Sequence, residues 1–84
     1  MRLYYDRVSK MFTLDLGDNE GVAFLGPITN TLVSLKKYGL TDSQAREATL
    51  QAVFNMGDSV DLEIIKKIAT EKSQYYHIND TARN

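Results

Sequence analysis

The sequence contains no cysteine, one histidine and one proline. Without cysteine the chain has no disulfide framework, no thiol nucleophile and no zinc knuckle. The single histidine, His77, removes most imidazole-based catalytic and metal sites. Neither glycine-rich phosphate-binding pattern, G-x-x-x-x-G-K-[ST] or G-x-G-x-x-G, is present. We therefore expect a protein that is not an enzyme and holds no metal or organic cofactor.

An excess of one charge and a long hydrophobic run are also missing. Ten Lys and Arg against eleven Asp and Glu leave a net charge of -1, which provides no bulk attraction to phosphate or anionic lipid. No stretch reaches the roughly 18 apolar residues of a membrane helix, and the first residues lack the apolar centre of a secretory signal. The sequence predicts a cytoplasmic protein that does not bind membranes, with nucleic acid as a disfavoured partner.

The length and hydrophobic patterning predict one small α+β domain. A chain of 84 residues with 43% hydrophobic residues is long enough for a single core. Apolar residues recur with a period of two over the first 25 residues and with a period near 3.6 beyond them. We expect a compact domain over 1–78 and a frayed polar tail over 79–84. Within the domain, a three-stranded antiparallel meander precedes three helices packed on one face of the sheet.

The first two predicted strands cover 2–5 and 10–16 and are joined by a turn at 6–9. If Tyr5 pairs with Lys10, Leu3 lies opposite Phe12, and alternate residues face one side of the sheet. The predicted core face consists of Leu3, Phe12, Leu14 and Leu16.

A third strand is predicted over 22–25, after a polar turn with a glycine at each end. We expect Val22 opposite Leu16 and Phe24 opposite Leu14, because this register keeps the core face apolar across the meander. Val22 and Phe24 would then both be buried.

Helix-start and helix-stop signals divide the rest of the chain. Pro27 opens the first helix and Gly39 ends it. Thr41 and Gln44 have the spacing of a capping box, which starts the second helix, and Asp58 or Ser59 would cap the third. The predicted helices cover 27–38, 42–56 and 59–76.

The second predicted helix carries apolar residues around more than half of its circumference. Leu50 and Phe54 stand well away from the main apolar face, at about 100° per residue. One interpretation is a central helix covered by the sheet and the third helix. The other, which we adopt for the function, is a self-interface in a homo-oligomer formed by Leu50 and Phe54.

Tyrosine supplies five of the eight aromatic residues and is typical of surfaces that are apolar yet tolerate water. Tyr4 and Met11 are predicted on the sheet face away from the core. Tyr75 and Tyr76 end the third helix. These four are the predicted partner-binding residues, and cross-strand or helix packing is the alternative interpretation.

Two further functions use the lysines. Lys36, Lys37, Lys66 and Lys67, together with tyrosine rings, would suit an oligomer that sequesters a nucleotide-like anion at its subunit junctions. The helix, Gly39 turn and helix also have the order of a helix-turn-helix DNA-binding motif, although Arg46 is the one basic residue at the start of its second helix.

The first hypothesis is therefore a non-enzymatic binding module that acts by occupying the surface of a protein target, as a homo-oligomer. Small, cysteine-free, slightly acidic modules are typical of phage or mobile-element inhibitors of host defence proteins. This comparison rests on size and composition alone, and no residue or motif of the sequence supports it.

Overall fold

The N-terminal residues form a β-hairpin in the computed structural model, which describes residues 1–55 and 58–67. Strands β1 (Arg2–Asp6) and β2 (Met11–Asp15) flank a turn at 7–10. The carboxylate of Asp6 accepts hydrogen bonds from the Ser9 hydroxyl (2.8 Å) and the Val8 backbone N–H (3.0 Å). Because both bonds favour the charged form, they hold the pKa of Asp6 below its ordinary value.

The hairpin register differs from the predicted one by two residues. Leu3 pairs with Leu14 and Tyr5 with Phe12, so the expected pairs Tyr5–Lys10 and Leu3–Phe12 are wrong. The turn takes in Lys10, whose φ of 62° lies in the left-handed region. A shift of two residues leaves every side chain on its predicted face. Leu3, Phe12 and Leu14 are accordingly buried.

Strand β3 (Val22–Gly26) pairs with β2 in a register that differs by one residue from the predicted one. Phe24 lies opposite Thr13 and Val22 opposite Asp15. A shift of one residue exchanges the two faces, so Val22 and Phe24 are exposed instead of buried. A bulge between β2 and β3 then restores the pairing of Phe12 with Gly26.

A fourth strand, β4 (Val60–Asp61), replaces the predicted start of the third helix at residue 59. It pairs with β1 through Leu3–Val60 and Arg2–Asp61. The three-stranded N-terminal meander is thus confirmed, and β4 extends it to a four-stranded antiparallel sheet of order β3-β2-β1-β4. Asp61 then accepts a hydrogen bond from the backbone N–H of Glu63 (3.0 Å), as a residue before a helix does. The third helix, α3, covers 62–67 in the part of the chain that the structure describes.

Helix α1 (Ile28–Lys37) follows β3 directly, with Pro27 as the residue before its first turn. It ends at Gly39, which adopts φ 98°. The backbone N–H of Leu40 then donates to the carbonyl of Leu35 (3.1 Å), which completes a Schellman stop. Gly39 thus ends the helix as the sequence predicts.

Helix α2 (Asp42–Phe54) begins with the predicted capping box. The Thr41 hydroxyl accepts from the Gln44 backbone N–H (3.1 Å), and the Gln44 side-chain carbonyl accepts from the Thr41 backbone N–H (2.8 Å). The Gln44 amide group also donates to the Lys66 carbonyl (2.9 Å). One side chain therefore starts α2 and ties it to α3.

One hydrophobic core joins the sheet to the helices. It contains side chains from β1, β2, β3 and β4 together with residues of all three helices. The Tyr5 ring packs on Phe12 with centroids 4.7 Å apart, and Leu16 is half-buried at the border. Together these elements make a small compact α+β domain. Across residues 1–55 and 58–67, none of the helices has the length and apolar character needed to span a bilayer.

Candidate binding surface

The side chains on the sheet face opposite the core form a surface that we call the outer face. Its members are the residues that alternate with the buried positions of each strand. The register places three of them in one row across the sheet, with Thr13 between Tyr4 and Phe24. The next row has Asp15 between Arg2 and Val22. Asp6 and Met11 complete the hairpin end of this face.

Phe24 is the most exposed aromatic side chain of the outer face. Its exposed fraction is 74%, and that of Val22, two positions away on the same strand, is 65%. Tyr4, two strands from Phe24, is 41% exposed. Val22 and Phe24 form an exposed apolar pair on β3, and Tyr4 lies across Thr13 from Phe24, about two strand spacings of 4.8 Å away. The part of the outer face nearest β3 is therefore apolar and exposed to solvent.

The opposite side of the outer face is charged. Arg2 donates from its guanidinium to the Ser59 hydroxyl and carbonyl, and it lies 3.9 Å from the Asp61 carboxylate. Asp15 is the cross-strand neighbour of Arg2 and accepts a hydrogen bond from the backbone N–H of Gly17 (2.9 Å). The outer face thus has an apolar region at β3 and a polar border at β4, as protein interfaces do.

Two of the four predicted partner-binding residues lie on the outer face, and the other two fall outside the described residues. Tyr4 is exposed on the outer face, and Met11 is half-buried on the same face, opposite Asp6. Tyr75 and Tyr76 lie outside the described residues, as do His77 and the predicted tail over 79–84. Val22 and Phe24 complete the surface around Tyr4, although the sequence placed them in the core.

A second apolar surface lies on α2, and we call Leu50 and Phe54 the helix patch. Leu50 is 50% exposed and Phe54 is 74% exposed. The core-facing side of the same helix is buried through Ala45, Ala48 and Ala52. Because Leu50 and Phe54 are four residues apart, they are neighbours on the helix surface. The described residues of one copy, 1–55 and 58–67, do not enclose them.

Of the four predicted anion-binding lysines, Lys36 and Lys66 lie beside the connection between α1 and α2. Lys36 forms an ion pair with Asp42, and this contact holds the pKa of the Asp42 carboxyl below its ordinary value. The Nζ of Lys66 lies beside the same α1–α2 connection, 3.7 Å from the position that a Cβ would occupy on Gly39. Lys37 and Lys67 are exposed.

A shallow pocket of about 250 Å³ lies between the end of α2 and β4, and none of these lysines lines it. Its charged lining residues are Arg2 and Asp61, which already contact each other. Over residues 1–55 and 58–67, no three His, Cys, Asp or Glu side chains come together as metal ligands would.

Comparison with known proteins adds no family. No protein-family model, no curated protein and no solved structure matches the chain. The outer face and the helix patch are two exposed apolar surfaces among the described residues.

Proposed function

We propose that this protein is a non-enzymatic binding module that contacts a protein target through the outer face. In this proposal the helices pack on the core face, which leaves the outer face for the target. The exposure of Phe24 beside Val22 on the same strand carries the proposal. Tyr4, in the same row as Phe24, extends the contact area, and Arg2 provides part of the polar border.

Single exposed apolar residues are ordinary on protein surfaces, but adjacent ones expose a continuous apolar area to water. Burial of apolar area contributes about 25 cal/mol per Å². Aromatic side chains therefore dominate the interfaces in which they are enclosed, and a bordering arginine is common there. A target that covers Phe24, Val22 and Tyr4 gains this burial without any chemical step by the module.

We further propose that the module self-associates through the helix patch. Leu50 and Phe54 are one turn apart on α2, so a second copy can place the same two side chains against them. This is an isologous contact, in which each copy presents the same surface. The phage or mobile-element origin, and inhibition of a host defence protein as the biological role, stay predictions.

The target-binding proposal is tested by capture with a matched pair of variants. The wild-type chain, Phe24→Glu and Val8→Glu are immobilised and exposed to proteins of the producing cell and of its host. Both replaced side chains are exposed, at 74% and 94%, but Val8 lies in the hairpin turn. Loss of the aromatic contact, with a charge buried in its place, is expected to lower capture of a specific target at least about tenfold. Val8→Glu is expected to retain it.

A target captured equally by Phe24→Glu and Val8→Glu would contradict the outer face as the binding surface. Denaturation curves of both variants check that the comparison is made between folded proteins.

The self-association proposal is tested with Phe54→Glu. Enclosing two Phe54 side chains contributes about 3 kcal/mol, so the charge is expected to weaken this contact about a hundredfold. Sedimentation then shows a lower average mass than for the wild type. Val33→Glu, on an exposed apolar residue of α1, is the control and is expected to keep the wild-type mass. Equal masses for the wild type and Phe54→Glu would exclude the helix patch as a self-interface.

A further inference from the structure

Strand β3 forms an open edge of the sheet. The strand order is β3-β2-β1-β4, so β3 has β2 on one side and no strand of the described residues on the other. The opposite edge, β4, has only two residues, whereas β3 has five. Long open edges are normally protected by charged residues, by proline or by a bulge. The β3 sequence, Val-Ala-Phe-Leu-Gly, contains no charged residue and no proline, and its bulge lies at Leu25, after Val22 and Phe24.

The ladder between β2 and β3 fixes which backbone groups face this open edge. The N–H of Leu16 donates to the carbonyl of Gly21 (3.0 Å). In an antiparallel ladder, hydrogen-bonded pairs alternate with pairs that are not bonded. The next bonded pair is therefore Leu14–Ala23, and the N–H and C=O groups of Val22 and Phe24 point away from β2. Two residues thus present four backbone groups to the edge.

We propose that two copies of the chain pair antiparallel through their β3 edges, with Val22 of one copy opposite Phe24 of the second copy. A bonded antiparallel pair exchanges two hydrogen bonds. The pairing Val22–Phe24 occurs twice across the two-fold axis, so four hydrogen bonds form. They use every edge-facing N–H and C=O group of both Val22 and Phe24. Ala23 lies on the axis, opposite Ala23 of the second copy.

The chemistry of β3 favours a second copy of itself as the occupant. The strand is uncharged, so no like charges are brought together. On the outer face, each Phe24 ring meets a β-branched valine, which is a favourable cross-strand pair. On the other face, alanine meets alanine, the smallest side chain available at a close approach. Registers centred on Val22 or Phe24 form only one Val–Val or Phe–Phe bonded pair and lose half of these bonds.

This pairing goes beyond target binding and beyond the helix patch. It joins two four-stranded sheets into one sheet of eight strands, in which the two apolar regions of the outer face become continuous. The contact is small, so we expect it to be weak and populated at about 100 µM protein. Because the helix patch is a separate surface, Phe54→Glu allows the edge contact to be measured alone.

The register is tested by cross-linking in the Phe54→Glu chain, which has no native cysteine. Ala23→Cys places two thiols at a non-hydrogen-bonded pair, where Cα atoms lie about 4.5 Å apart, within disulfide range. The control is Val8→Cys, in the exposed hairpin turn. Under mild oxidation we expect Ala23→Cys to form covalent dimer at least about tenfold faster than the control, as its high effective concentration requires.

Val22→Pro tests the hydrogen bonds of the edge pairing. The substitution removes an N–H that faces the edge and not β2, which is a position where strands tolerate proline. In the dimer it removes two of the four hydrogen bonds, so we expect cross-linking of Ala23→Cys to fall about tenfold. Cross-linking is measured on the purified chain without any target, whereas target binding is measured separately by capture with Phe24→Glu and Val8→Glu. Failure of edge pairing and failure of target binding are thus distinguishable.

Hydrogen exchange supplies a readout that needs no substitution in β3. In the Phe54→Glu chain, the amides of Val22 and Phe24 are expected to gain protection as protein concentration rises, while the amide of Ala23, already bonded to β2, does not. Equal cross-linking of Ala23→Cys and Val8→Cys would overturn the proposal. So would exchange at Val22 and Phe24 that does not depend on concentration.

Discussion

Phe12→Ala is expected to lower the free energy of unfolding by about 3–5 kcal/mol, whereas Phe24→Ala is expected to change it by about 0.5 kcal/mol or less. The two residues lie on adjacent strands of the same sheet. Phe12 is 1% exposed and packs on Tyr5, whereas Phe24 is 74% exposed. The same side chain is therefore removed once from the core and once from the outer face.

The difference is large compared with the total stability of a domain this small, about 5–10 kcal/mol. For fewer than about 100 residues, a change of 1 kcal/mol moves the Tm by about 4–8 °C. We therefore expect Phe12→Ala to melt at least about 15 °C below the wild type, and Phe24→Ala to melt close to it.

The measurement is urea denaturation followed by circular dichroism at about 1 µM, where weak contacts between copies are not occupied. An equal loss of stability in the two variants would show that Phe24 faces the core, as the sequence alone predicts. It would also remove the main support for the outer face as a binding surface.

The contrast between these two residues shows what the sequence can and cannot establish. Alternation over β1 and β2 identifies Leu3, Phe12 and Leu14 as core, because each apolar residue there has a polar or aromatic neighbour that marks the other face. In β3, four apolar residues follow one another from Val22 to Leu25. Such a run satisfies either register, and the bulge opposite Phe12 is what brings Ala23 and Leu25 to the core side.

The sequence does not predict strand β4, and the reason is different. Val60 fits the helical spacing of Ile64 and Ile65, and two residues are too few to show a period of two. Its pairing with β1 is a long-range contact, which local patterning does not report. Short sequence motifs predicted the features that depend on neighbouring residues alone, namely the helix end at Gly39 and the capping box of Thr41 and Gln44.

The two candidate surfaces also differ in how far the sequence alone predicts them. Leu50 and Phe54 could be recognised from sequence, since a helix has a fixed period and their positions follow from it. The outer face was recognised through Tyr4 and Met11 but not through Val22 and Phe24, because its composition depends on register. The surface that supports the proposed target binding therefore required the three-dimensional pairing of β2 with β3.

Gln44→Ala is expected to cost about 2–3 kcal/mol of unfolding free energy, an unusually large loss for a polar residue. The side chain is 5% exposed. Its carbonyl accepts from the Thr41 backbone N–H, and its amide donates to the Lys66 carbonyl, across 22 residues of sequence. Truncation removes the partner of both backbone groups at a site that water reaches poorly, so their desolvation is no longer offset.

Gln51→Ala is the matched control, since it makes the same substitution on the same helix. The Gln51 side chain is half-buried and donates to Glu47 one turn earlier (3.2 Å), a local contact of about 0.2–0.5 kcal/mol. Denaturant unfolding of both variants measures the difference. If Gln51→Ala were as destabilising as Gln44→Ala, the tie between α2 and α3 would contribute no more than a contact within one helix. A selective loss in Gln44→Ala would instead show that a single capping side chain also fixes where α3 lies, and with it the strand β4 that completes the sheet beside Arg2.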